Sequence, residues 1–375
     1  MRTFSYTLWV CTVLDIVVGH TLDASIDIIP STPSTTPSVA QYTSQSSLFD
    51  GPYVAGLNDT TSDWWYFDAI SSDLNYTLVV TFFAATPDGL WPTTPDLGSA
   101  TYLLLFLTLP DGTLLEGAAI GEELAIVTVE DGSSGVLGNT SNFWVGSPDM
   151  TSYEVSLNVP DIGLTGNISL QSTAPAHFPC THATAAPGQR LNLVSEPTNL
   201  GWVNAIPDAN ATVSLDVNGT TVQFSGFGYH DQNWAAQPVH STANAWYWGH
   251  ARLGPFSVVW FDIVSSDGTE LVSSYLARDN QIISSTCGNA TVRPVDGSAP
   301  FPPTPSSSVS EPPGFNITAD IEGEGTLIMQ IAPNQVVLAV PGMVWRWTGE
   351  ASGGFGNGTT WQGVAFYEQF TFDNS

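Results

Sequence analysis

Three short runs hold the residues best suited to chemistry. In Asp63-Trp64-Trp65-Tyr66-Phe67-Asp68 a block of aromatics sits between two carboxylates. In Gly228-Tyr229-His230-Asp231-Gln232-Asn233-Trp234 an imidazole adjoins a carboxylate, the pairing that general acid–base catalysis uses. In Trp246-Tyr247-Trp248-Gly249-His250-Ala251-Arg252 indoles and cationic donors recur at alternate positions. Successive side chains of a strand point to opposite faces, so Trp246, Trp248, His250 and Arg252 share a face: an aromatic wall beside donors suited to a substrate carbonyl. In Trp345-Arg346-Trp347 the same alternation turns Arg346 away from its indole neighbours.

The alternation also divides the first two runs. Trp64 and Trp65 go to opposite faces, so one can be core and the other pocket, or both can fill core. His230 and Gln232 share one face and Asp231 and Asn233 the other. A structural hydrogen-bonded network accounts for that cluster as well as an acid–base pair does, and either arginine could be a paired or stacked structural cation. Trp64, Trp65, Tyr66, His230, Asp231, Asn233, Trp248, Trp260, Trp345 and Tyr367 are the candidate binding residues; Arg252, Arg346 and His250 are the candidate donors.

The elements that must position these residues read as strands throughout. Short β-branched and aromatic runs alternate with Gly, Pro, Asn and Asp, including 76–83, 100–109, 124–129, 153–159, 166–171, 211–217, 221–229, 246–253, 256–264, 270–277, 317–321, 327–331 and 363–372, and no long helical period appears. Asn218-Gly219 is a two-residue hairpin signal, because both turn positions need positive φ. The expected class is all-β, two antiparallel barrel or sandwich units, since barrels remove exposed edges. A length of 375 residues leaves room for two cores.

Composition excludes whole classes of partner. Acidic residues number 35 against 6 basic ones, all of them arginine, for a net charge of -29. Nucleic acids and anionic membranes need basic patches, so the expected partner is an apolar small molecule. Arg2 followed by the apolar stretch from Leu8 to Val18, too short to span a bilayer and interrupted by Asp15, reads as a signal peptide over 1–19. Nine Asn-x-Ser/Thr sites point to the same secretory route: Asn58, Asn75, Asn139, Asn167, Asn210, Asn218, Asn289, Asn316 and Asn357. Loss of Cys11 with the signal leaves Cys180 and Cys287, for which pairing is the default in an oxidising compartment and two separate buried thiols the alternative. Residues 20–48, rich in Pro, Ser and Thr from Pro30 on, are expected to be a mobile leader, and the stretch from Pro294 to Pro313 a long loop. No metal site is expected, because His177 and His182 lie in a Pro-flanked loop and no HExxH or CxxC spacing occurs. No GxSxG elbow, GxGxxG or P-loop appears, so no cofactor is expected.

Taken in order, the three runs resemble the two-domain lipocalin-like superfamily that includes carotenoid 1,2-hydratases and fungal Diels-Alderases. Gly201-Trp202-Val203-Asn204, residues 254–262 and 274–279 fit the fungal branch. The resemblance runs from about Phe49 to the C-terminus and implies domains at 49–236 and 237–375 with ligand held in or between them. The signal peptide and dense sequons depart from the decalin-forming Diels-Alderases and resemble the hetero-Diels-Alderases of tropolone-sesquiterpene pathways. The resemblance therefore implies a cofactor-independent pericyclase that orients two apolar reactants and polarises the diene carbonyl with one donor. A hydratase or isomerase in which Asp231 or another buried carboxylic acid protonates an alkene, and a lipocalin-like carrier without turnover, remain alternatives.

Overall fold

The computed structural model describes residues 22–372 except 92–93, 182–185, 195–198, 298, 304–310 and 357. The expected signal peptide, Cys11, His182, Asn357 and part of the 294–313 loop lie outside the described residues. Among those described, strands dominate, and the longest helix is the four-residue turn Val239–Thr242. No described helix is long and apolar enough to cross a membrane.

Two antiparallel sheets carry the chain. The first has thirteen strands and ends in sequence with the long hairpin Leu200–Val217 and Thr220–Ala235, whose partner across the sheet is Ser62–Ser71. It curls on itself, as the Ala100 amide donating to the Ser31 carbonyl at 2.8 Å shows. The second has nine strands and begins at Ala243–Leu253, flanked by Phe256–Ser265 and Trp361–Thr371. The turn at Asn218-Gly219 has φ of 53° and 80°, the left-handed pair that lets the hairpin strands twist together. The all-β, lipocalin-like class expected from the sequence is the one observed.

The segment expected to be a leader is partly strand. Ala24–Pro30 pairs antiparallel with Glu123–Val129, and Val39–Ala40 pairs with Val54–Ala55. Ile29 is buried against the first core while Ile26 and Ile28 stay exposed. The alternation that permits this, Ile26-Asp27-Ile28-Ile29, lies just upstream of the Pro-rich stretch.

Three apolar layers result. Trp65, Phe67, Phe82, Trp144 and Tyr153 fill the inside of the first sheet, and Trp260, Phe315, Trp347 and Tyr367 fill the inside of the second. Between the sheets lies a third layer with Trp64, Tyr66, Trp202, Tyr229, Trp246, Trp248 and Phe370. Every residue of Ser62–Ser71 and of Phe256–Ser265 is buried, because one face of each strand serves its own core and the other serves the middle layer. The Cys180–Cys287 disulfide joins the loop after the Leu164–Ser172 strand to the end of Gln281–Cys287 in the second sheet.

Candidate active site

The middle layer is not solid. It encloses a cavity of about 540 Å³, inside the range that holds a drug-sized molecule. The first sheet supplies Trp64, Tyr66, Phe83, Asp231 and Asn233; the second supplies Trp246, Trp248, Phe261, Arg346, Glu368 and Phe370. Aliphatic side chains, among them Leu97, Leu104, Leu338, Val340 and Met343, complete the lining. The alternation along Thr220–Ala235 explains the division: Asp231 and Asn233 face the cavity, while His230 and Gln232 face the first core.

Asp231 is the polar centre of the first wall. Its Oδ2 accepts from Trp202 Nε1 and the Tyr229 hydroxyl, both at 2.8 Å, and its Oδ1 accepts from Asn233 Nδ2 at 2.8 Å. Burial pushes its carboxyl up to about 7, and these donors, with His230 nearby, only partly offset the desolvation. Such a carboxyl is protonated for a substantial fraction of the time at neutral pH, as a general acid must be.

The second wall carries an ion pair. Arg346 Nε and Nη2 donate to Glu368 Oε2 at 2.9 and 2.7 Å, and Trp246 Nε1 donates to Glu368 Oε1 at 3.1 Å. Burial opposes the charge on Arg346, but Glu368, Tyr66 and Asp68 together outweigh it and raise the pKa, so the guanidinium stays charged. Its Nη1 has no partner among the described residues, which leaves a buried cationic donor on the cavity wall.

Other predicted site residues are placed elsewhere. Trp65 packs on Trp144 in the first core and donates to the Asp50 carbonyl. His230 stacks on Phe67 and reaches Asp50 Oδ2 at 3.1 Å, also inside the first sheet. Trp260 and Tyr367 lie in the second core, and half-buried Trp345 packs at its border. Arg252 does not reach the cavity: it forks onto Asp208, with Nη2 to Oδ1 at 2.7 Å and Nε to Oδ2 at 2.9 Å, and covers the Phe227 ring. His250 lies between the two, its Nε2 3.0 Å from Asp68 Oδ2 and its ring stacked on Tyr229, lining a separate void of about 10 Å³. The face shared by Trp246, Trp248, His250 and Arg252 is real, but only its first half meets the cavity. Glu368 was missed, although a lone carboxylate inside the apolar 363–372 run was a legible signal.

Among the described residues no three His, Cys, Asp or Glu side chains gather as a metal site. The sequons at Asn75, Asn139, Asn167, Asn210, Asn218 and Asn289 are exposed, and those at Asn58 and Asn316 are partly so.

Two curled sheets enclosing an aromatic chamber with a buried acid and a buried arginine define a lipocalin-like protein with an internal cavity of small-molecule size. A family profile described as Diels-Alderase-like matches residues 27–298, and the chain belongs to that family. It is 31% identical to a quinolone epoxide rearrangement protein of Penicillium thymicola over 89% of this chain and 92% of that protein. It is 24% identical to a Diels-Alderase of Chaetomium globosum over 63% of this chain and 55% of that one. The crystal structure of CghA with Sch210972 shares the fold, with a TM-score of 0.72 at 19% identity over 93% of this chain and 99% of that one.

Proposed function

We propose that this chain is a cofactor-independent isomerase that rearranges or cyclises an epoxide carried by an apolar aromatic substrate. The observation that carries the reading is Asp231, an acid raised to about 7 on the wall of a cavity built mainly from aromatic and aliphatic side chains. In the proposed step Asp231 gives its proton to the epoxide oxygen as the C–O bond breaks. The electron-poor carbon left behind is captured by a migrating group or by an internal nucleophile within the same molecule. Trp64, Trp246 and Trp248 hold the substrate in one fold and stabilise developing positive charge through their ring faces. Arg346 donates from Nη1 to a carbonyl and anchors the aromatic end. The similarity to quinolone epoxide rearrangement proteins over nearly the whole chain supports this substrate class.

A second reading has its own support. An apolar chamber with one polarising donor, Arg346, suits a cycloaddition, including the joining of a quinone-methide-type diene to a terpene olefin, and more distant relatives are Diels-Alderases. Such a reaction needs Arg346 and the walls but no proton from Asp231. We therefore expect Asp231→Asn to lower the rearrangement rate of a quinolone bearing a side-chain epoxide by roughly 100-fold or more, since general acid catalysis contributes about 10²–10⁴-fold. Chiral chromatography of the isomeric product measures it. A wild-type rate no faster than buffer for that probe overturns the rearrangement reading, as does an Asp231→Asn variant at wild-type rate.

A further inference from the structure

An isomerisation is proton-neutral: a proton delivered to one atom leaves from another. Asp231 accounts for delivery, and the cavity wall holds a second polar system that can accept. Tyr66 and Asp231 are direct partners across the Ser62–Ser71 and Thr220–Ala235 strands, and Tyr229 and Asp68 are the next such pair on the same face. On each strand the tyrosine donates to the carboxylate two residues on, Tyr229 to Asp231 at 2.8 Å and Tyr66 to Asp68 Oδ2 at 3.1 Å. The two Tyr–Asp units run in opposite directions because the strands are antiparallel. They consequently present different residues to the cavity, Asp231 from one and Tyr66 from the other.

Asp68 differs from Asp231 in what holds it. Its Oδ2 also meets His250 Nε2 at 3.0 Å, and its Oδ1 is buried with no hydrogen-bond partner among the described residues. A buried carboxylate oxygen without a donor is costly. None of the three carboxylates with an orphan oxygen, Asp50, Asp68 and Asp262, lines the cavity itself, but Asp68 alone is hydrogen-bonded to a residue that does, Tyr66.

We infer that Tyr66, backed by Asp68 and His250, is the proton-accepting group of this site, the counterpart of Asp231. As the internal nucleophile bonds to the electron-poor carbon, its own bond to hydrogen breaks with the electron pair kept by the nucleophile, and that proton passes to the Tyr66 oxygen while the Tyr66 hydroxyl proton passes to Asp68 Oδ2. The phenol is regenerated in the same event and Asp68 becomes the neutral acid; Asp231 is left ionised, and both recover when product leaves and water enters. Burial, and then the Asp68 charge, hold the Tyr66 phenol well above its usual range, so a free phenolate does not accumulate and the two transfers go together. Tyr66 is thus a catalytic residue, whereas Asp68 and His250 act through it. The inference rests on the rearrangement reading.

The test compares Tyr66→Phe, His250→Gln and His250→Leu with wild type on the quinolone epoxide probe, in water and heavy water. Tyr66→Phe keeps the ring that packs on Trp248 at 5.4 Å and loses only the conduit. Its kcat should fall by roughly 100-fold or more with KM within about threefold, and the solvent isotope effect on kcat should change. His250→Gln retains an N–H donor for Asp68 and should hold kcat within about tenfold, whereas His250→Leu should lose most of it. A folded Tyr66→Phe with wild-type kcat overturns the inference. If Tyr66→Phe does not fold, the His250 pair decides, and a folded His250→Leu equal to wild type overturns it. Should Asp231→Asn be inactive while the Tyr66 and His250 variants are unaffected, the rearrangement reading stands and this inference falls; should all of them react like wild type, both fall.

Discussion

Replacing Asp231 by asparagine removes one ionisation from a fully buried site, and its effect on stability can be worked out independently of any substrate. In the folded chain this carboxyl is raised to about 7, while an unfolded aspartate titrates near 3.9, as reference peptides do. Below pH 4 the group is protonated in both states and favours neither. As pH rises from 4 to 7 the unfolded chain releases the proton and gains solvation, while the folded chain keeps it. Native stability therefore falls across that window and levels off above it. A shift of about 3 units at about 1.4 kcal/mol each gives roughly 4 kcal/mol. Asparagine titrates in neither state, and its amide oxygen can still accept from Trp202 and Tyr229. Its amide nitrogen would face Asn233 Nδ2, a conflict removed if Asn233 turns its own amide over. Asp63, also raised to about 7 by burial, is common to both proteins and cancels. Urea unfolding followed by tryptophan fluorescence at pH 4, 6 and 8 should show the stability gap moving in the variant's favour by roughly 4 kcal/mol from lowest to highest pH. Parallel pH curves, with the gap constant within about 1 kcal/mol, refute the raised pKa and with it the case for Asp231 as a neutral-pH acid.

Arg346→Met should cost roughly 3–5 kcal/mol by leaving Glu368 buried without its cation, and Arg346→Met with Glu368→Gln should regain stability but not rate; a double variant with full rate removes Arg346 from the site. Trp248→Ala and Trp260→Ala should each destabilise by roughly 3–5 kcal/mol, but product-ratio analysis should find altered selectivity only for Trp248, because Trp260 lies in the second core. Reducing Cys180–Cys287 should lower stability by roughly 2–5 kcal/mol, read from unfolding with and without reductant, while equal midpoints refute a stabilising link. Expressed with its own N-terminus in a fungal host, the chain should reach the medium and lose mass on N-glycosidase treatment; a retained or unshifted chain refutes the secretory reading of the sequons.

Alternation made much of the site legible. It put Trp64 and Trp65 on opposite faces, separated Asp231 and Asn233 from His230 and Gln232, and turned Arg346 away from Trp345 and Trp347. What it could not give was which face meets the cavity, since strands such as Ser62–Ser71 and Phe256–Ser265 are apolar on both sides and read alike from either. That is why Trp65, Trp260 and Tyr367 entered the candidate wall and proved to be core. Arg252 failed for a different reason. Its partner Asp208 lies on the other sheet, and a neutralising carboxylate distant in sequence leaves no local trace. The strand at Ala24–Pro30 was obscured by the neighbouring Pro/Ser composition.

The two-faced strands also bear on how such a site can change its chemistry. On Thr220–Ala235 the inward face holds His230 against Asp50, which also accepts from Tyr153 at 2.7 Å, a network inside the first core. The outward face, one residue away, holds Asp231 and Asn233 at the cavity. A substitution on the outward face leaves the first core's hydrogen bonds intact, whereas one at His230 on the inward face takes a partner from buried Asp50. Within Tyr-His-Asp-x-Asn-Trp, His230 and Trp234 pack inward, while Asp231, with Tyr66 on the neighbouring strand, faces residues of the other sheet across the gap. Those facing residues, Arg346 and Glu368, come from strands more than a hundred residues later in the chain. An acid fixed on one sheet and an anchor fixed on the other can thus be altered separately: on the proposed reading Asp231 of the first sheet supplies the proton that rearrangement needs, while Arg346 on the opposing wall would serve rearrangement and cycloaddition alike.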